Sequence, residues 1–123
     1  MSKKVAVIGA SANPNKYGHK AVKAYLKRGY TVYPINHKEK EILGLKVYQS
    51  IKDVPDRLDI VSVYLPPQIT LKLLPDIAAK GCDELWLNPG AESEEVLAKA
   101  KELGLNVIQA CNIINVGYHP DDL

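Results

Sequence analysis

Gly9, Ala10, Ser11, Asn13 and Lys16 bring two small residues, a hydroxyl, an amide and an ammonium into one short segment. The hydroxyl and the amide donate hydrogen bonds to an anion, and the lysine adds a full positive charge. The segment follows an apolar run, Val5-Ala6-Val7-Ile8, and precedes a helical pattern that opens near Tyr17 and Gly18. A strand that turns straight into a helix presents the helix's first N–H groups, and phosphate is the anion they suit best. A turn merely capped by Ser11 or Asn13 would need neither Lys16 nor three donors in succession. Tyr17 suits either stacking on a ring or covering the helix start.

The same segment is not a dinucleotide fingerprint. G-x-G-x-x-G would place glycines two and five residues after Gly9, where Ser11 and Pro14 stand. The second apolar strand ends in Ile35-Asn36-His37-Lys38, with a cation where an NAD site carries a carboxylate for the ribose. That favours a ligand with an extra ribose phosphate, and both NADP and coenzyme A have one. The competing reading assigns Lys38 to the solvated run Lys38-Glu39-Lys40-Glu41. Farther on, Val63-Tyr64-Leu65-Pro66-Pro67 is apolar and stiff, with few free N–H groups, and suits contact with a flat ring. Helix initiation by Pro67 explains part of it as well. Asn88-Pro89-Gly90 forms a turn whose backbone a ligand can approach closely.

Elements that alternate along the whole chain must position these loops. Strands are expected at 4–9, 31–35, 59–65, 84–87 and 105–109. Helices are expected at 17–28, 67–80 and 93–103, with Pro75 kinking or breaking the second. A small hairpin or extra strand is expected at 44–48, a short helical turn at 51–54, and a short tail after the last strand. Strands apolar throughout, joined through helices, predict an α/β fold: a Rossmann-like, doubly wound sheet of about five parallel strands with helices on both faces. Ligands bind such sheets outside the carboxyl ends of the strands. The loops beginning at Gly9, Asn36, Pro66, Asn88 and Ala110 therefore converge.

Composition sets outer bounds. The chain has 123 residues, enough for one domain spanning 1–123, with 46% hydrophobic and 24% charged residues. A net charge of +2, carried by fourteen lysines and two arginines, gives no basis for a nucleic-acid partner. No apolar run approaches membrane-spanning length, and Met1-Ser2-Lys3-Lys4 leads directly into a strand without a signal peptide's apolar region. Cys82 and Cys111 have neither metal-ligand spacing nor the numbers for a disulfide scaffold, so no metal is expected and a reducing, cytoplasmic setting is.

Gly9-Ala10-Ser11 with Asn13-Pro14 and Lys16, Tyr33-Pro34-Ile35-Asn36, Val63-Tyr64-Leu65-Pro66-Pro67, and Leu85-Trp86-Leu87-Asn88-Pro89-Gly90 occur in that order. Over about residues 3–112 the chain resembles the small single-domain CoA-binding proteins. These are similar to the CoA-binding domain of the succinyl-CoA synthetase α subunit and of ADP-forming acyl-CoA synthetases. The resemblance implies that residues 9–16 hold the CoA phosphates, with Ser11 and Lys16 as main contacts. It implies that Asn36, His37 and Lys38 flank the ribose and its 3′-phosphate. Leu65, Pro66 and Pro67 would line the adenine side, and Asn88, Pro89 and Gly90 the pantetheine path. Such synthetases carry a phosphorylated histidine on a separate second domain. His19, His37 and His119 lie in no such domain, so synthetase activity by this chain alone is not expected.

The expected function is therefore CoA or acyl-CoA binding as a non-enzymatic carrier, regulator or companion subunit. The alternatives are a subunit of an acyl-CoA synthetase-type enzyme that needs a partner chain, and an NADP-binding module. Cys111 follows the last strand and so falls on the ligand side, where it would form a mixed disulfide with CoA or else be an inert half-buried thiol. Cys82 precedes its strand, on the opposite side.

Overall fold

Val5 and Val7 point to one side of the first strand and Ala6 and Ile8 to the other, and all four are buried. A strand buried at every position needs cover on both faces of its sheet. The computed structural model describes residues 3–123; Met1 and Ser2, read above as the lead-in to the first strand, lie outside the described residues. In chain order the larger elements are β1 (Lys4–Ile8), α1 (Tyr17–Lys27), β2 (Thr31–Ile35), a hairpin of β3 (Glu41–Ile42) and β4 (Leu45–Lys46), β5 (Leu58–Val63), α2 (Pro67–Lys80), β6 (Cys82–Leu87), α3 (Glu94–Glu102), β7 (Val107–Gln109) and α4 (Asn112–Asn115). Short 3₁₀ turns occupy Ile51–Asp53 and Pro120–Asp122.

The main sheet runs β2-β1-β5-β6-β7 and every pairing in it is parallel. The chain moves outward from β1 to β2, then returns to the other side of β1 with β5. The strand order thus reverses between β1 and β5, which opens a crevice above their carboxyl ends. One core gathers Ile8, Val61, Val63, Leu85 and Leu87 with Leu74 and Ile77 of α2 and Val96 and Ala100 of α3. The opposite core gathers Val5, Val7 and Trp86 with Ala21, Val22 and Tyr25 of α1 and Ile113 of α4.

Pro34 is tolerated because β2 is an edge strand. Tyr48 extends that edge, its N–H donating to the Pro34 carbonyl at 2.9 Å and its carbonyl accepting from Asn36 N–H at 3.0 Å. This fixes the segment after the hairpin beside the end of β2.

Several boundaries differ from the sequence expectation. α2 continues through Pro75, although proline lacks the N–H that would bond the carbonyl of Leu71. Leu74 and Ile77 on either side of it are fully buried, and that packing holds the helix together. β6 starts two residues early because Cys82 pairs in register with Leu58. β7 starts two residues late. The expected tail instead carries α4, docked by Ile113 and by Arg28, whose Nε donates to the Val116 carbonyl at 2.6 Å.

Candidate functional site

Two glycines build the floor of the crevice. Gly9 lies at φ +88°, and a Cβ there would stand 2.9 Å from the Tyr64 carbonyl oxygen. A Cβ on Gly18 would stand 2.1 Å from the Gly9 carbonyl oxygen. Their missing side chains let the first turn of α1 rest directly on the end of β1. The N–H groups of Tyr17 and Gly18, first in α1, have no acceptor within the helix and favour an anion above the rim. Lys16 occupies the N-cap position and its side chain caps nothing.

Ser11 and Asn13 act on the loop itself. Ser11 Oγ accepts from the Asn13 N–H and Asn13 Oδ1 from the Asn15 N–H, each at 3.0 Å. Neither caps α1. His19, nearly buried, donates from Nδ1 to the Ser11 carbonyl at 2.9 Å and pins the loop from below. Asn36 ties the second loop to the first: Nδ2 donates to the Ala10 carbonyl at 2.8 Å, while Oδ1 accepts from the N–H groups of Lys38 and Glu39 at 2.7 and 3.0 Å. The third loop is equally braced. The hydroxyl of buried Thr70 lies 3.1 Å from the Leu65 carbonyl and 3.0 Å from that of Pro66.

Two adjoining cavities form a cleft across the reversal point, with volumes of about 550 and 310 Å³. Gly9, Lys16, Tyr64, Leu65 and Pro66 border both. Of the residues expected from sequence, Ala10, Ser11, Asn36 and His37 also line the larger one, and Tyr17, Gly18, Pro89 and Gly90 the smaller. Tyr17 is 58% exposed, with the Lys20 ammonium 5.7 Å from its ring centre.

Five expected residues line neither cavity. Asn13 and Lys38 are exposed, and Pro67 opens α2. Asn88 is buried and serves the frame: Nδ2 donates to Ser62 Oγ at 2.9 Å and to the Val63 carbonyl at 3.0 Å, and Oδ1 accepts from Asn112 N–H at 2.9 Å. Cys111 is half-buried at the N-cap of α4, in the core that Tyr64 also packs against. Burial pushes the Tyr64 phenol well above its ordinary pKa, so it stays neutral.

Sequence reasoning missed part of the cleft's lining. Gln49, Ser50 and Ile51 line the larger cavity, and so do Ile69, Leu73 and Asp76 of α2. The helical spacing of 69, 73 and 76 was a usable signal. The first three owe their place to Tyr48 on the sheet edge, which no local pattern reveals. Among the described residues, no group of three or more His, Cys, Asp or Glu is placed to hold a metal ion, and no helix is long and apolar enough to cross a membrane.

The parallel order and the cleft at its reversal point define a Rossmann-like α/β domain. The CoA binding domain family matches residues 3–117, and the chain belongs to that family. It is similar to the α subunit of ADP-forming acetate–CoA ligase I of Pyrococcus furiosus, at 34% identity over 98% of this chain and 29% of that subunit. It is also similar to the Bacillus subtilis protein YneT, at 31% identity over 87% of this chain and 79% of YneT. The chain thus spans less than a third of the ligase subunit. Among solved structures, a conserved hypothetical protein of Pyrococcus furiosus superposes with a TM-score of 0.85 at 34% identity, covering 92% of this chain and 98% of that one. The dinucleotide-forming acetyl-coenzyme A synthetase 1 of Candidatus Korarchaeum cryptofilum, in complex with phosphate and ADP, superposes at 0.78 and 30% identity, over 88% of this chain and 25% of the synthetase.

Proposed function

We propose that this domain binds coenzyme A in the cleft between β1 and β5, as a carrier, regulator or companion subunit. One observation carries the reading: a glycine-floored helix start with Lys16 opens into a long cleft walled by Leu65 and Pro66, in a member of the CoA binding domain family. The phosphates lie against residues 9–18. The ribose and its 3′-phosphate lie by Asn36 and His37, with Lys38 within reach of solvent-facing oxygens. The adenine lies on Leu65 and Pro66, and the pantetheine passes Pro89 and Gly90. The combined cavity volume falls within the range of small-molecule sites. Two free thiols fit a reducing cytoplasm.

A second reading, a companion chain of an acyl-CoA synthetase, is favoured by the similarity to the ligase α subunit. Mixing with a candidate partner should then yield ATP-dependent acyl-CoA synthesis.

Cys111 adds a covalent option. Its thiolate attacks one sulfur of CoA disulfide, a Cys111–CoA disulfide forms, and the second CoA leaves as a thiolate that takes up a proton. Intact-mass spectrometry with CoA disulfide should show one CoA adduct that is absent from Cys111→Ser, with Cys82 at the opposite end of the sheet unmodified. Modification elsewhere, or none, removes this option.

Calorimetric titration with CoA, dephospho-CoA, NADP and NAD tests the main reading. CoA should bind most tightly, with dephospho-CoA weakened about tenfold by loss of charge-assisted hydrogen bonds. NADP binding in preference to CoA would overturn it.

A further inference from the structure

Ile69, Leu73 and Asp76 form a stripe along α2 at intervals of four and three residues, which places them on one helix face. All three line the larger cavity, together with Gln49 and Ser50. Asp76 is a carboxylate at the end of an otherwise apolar wall. Its partner, the Lys52 ammonium, stands 3.8 Å away and is 65% exposed, a contact too loose to occupy both oxygens.

The cleft therefore differs in character along its length. Lys16 and the start of α1 attract phosphate at the rim, whereas Asp76, nine residues along α2 from Pro67 and paired with Lys52, offers hydrogen-bond acceptors. A ligand that is anionic at one end and a flat heterocycle at the other enters one way round, with its ring on Leu65 and Pro66 and extending over Ile69 and Leu73. The edge of that ring then faces Asp76 and Gln49.

An ionised carboxylate only accepts hydrogen bonds. At position 6 of a purine it favours an amino group, which donates, and disfavours a carbonyl oxygen, whose lone pairs would oppose its own. The Gln49 amide both donates and accepts, and so serves a neighbouring ring nitrogen. We propose that Asp76 is a specificity-determining residue that accepts a hydrogen bond from the exocyclic amino group of adenine, so that the site selects 6-aminopurine over 6-oxopurine ligands. The inference rests on the coenzyme A reading and adds to it the group that distinguishes the base.

The experiment is a calorimetric titration with CoA, adenosine 3′,5′-bisphosphate and inosine 3′,5′-bisphosphate, using wild type, Asp76→Asn and Lys52→Ala. Wild type should prefer the adenosine compound about tenfold, the lower range for a hydrogen bond to a charged group. Asp76→Asn, whose amide can donate to a carbonyl, should bring the two within about twofold. Lys52→Ala, which removes the ion pair and leaves the carboxylate, should keep the preference. Equal binding of both bisphosphates by wild type, a preference that survives Asp76→Asn, or its loss in Lys52→Ala overturns the role of Asp76 and leaves CoA binding standing. Binding of neither bisphosphate nor CoA overturns both.

Discussion

Lys16 borders both cavities and stands at the N-cap of α1, so its ammonium and the first helix amides address the same point. Replacing it with alanine should weaken CoA binding at least tenfold, given about 1.5–3 kcal/mol for a charge-assisted hydrogen bond. The melting temperature should hold within a degree or two, because the side chain is exposed and caps nothing. Calorimetry and thermal denaturation check both halves; unchanged affinity would contradict the role. The candidate role of Lys16 was legible from type and spacing alone. The inward work of Asn36 and Asn88 was not, because a side-chain amide takes whichever partners the fold brings near, and Ser62 and Asn112 are far from Asn88 in sequence. The spacing of Ile69, Leu73 and Asp76 put them on one face of α2, but nothing local to that helix told of the loop that shares the cleft with it.

The junction of β1 with α1 is the most demanding element of the site. Gly18→Ala would drive a methyl into the Gly9 carbonyl oxygen, so the helix start must lift off the strand end. Overpacking of this kind costs about 1–3 kcal/mol. The expected result in urea unfolding is a loss in that range, together with weaker CoA binding because the amides of Tyr17 and Gly18 move. A variant as stable as wild type with intact binding would refute the close contact. Most elements were legible because continuous apolar runs and helical periodicity are written locally. The misjudged ones, α2 across Pro75 and α4 in place of a tail, depend on burial of Leu74, Ile77 and Ile113 against distant parts of the chain.

For the molecule as a whole, Tyr33, Asp56 and Cys82 contribute to the response to pH. Burial, and then the hydrogen bond to the Asp56 carboxylate, push the Tyr33 hydroxyl up to about 12. Burial, and then the charge of Asp83, push the Cys82 thiol up to about 11. Both groups hold their protons more tightly folded than unfolded, so their contribution is complete below pH 9 and is lost as pH rises from about 9 to 12. The Asp56 carboxyl is held below its usual range, first by the Tyr33 hydroxyl, and Lys4 also lies 3.7 Å away. Its contribution is present above about pH 4 and is lost on acidification below that. Urea midpoints measured from pH 3 to 12 should therefore form a plateau that falls at both ends, with a smaller alkaline fall in Tyr33→Phe. A midpoint that rises above pH 9 would contradict this assignment.

The central claim is a location as well as a ligand. Backbone amide NMR of the labelled protein, recorded during titration with coenzyme A, reports on both. The account predicts saturable shifts concentrated at residues 9–18, 35–37 and 64–66, with the sheet's amino end unmoved. Shifts centred elsewhere, or none at saturating coenzyme A, would contradict it.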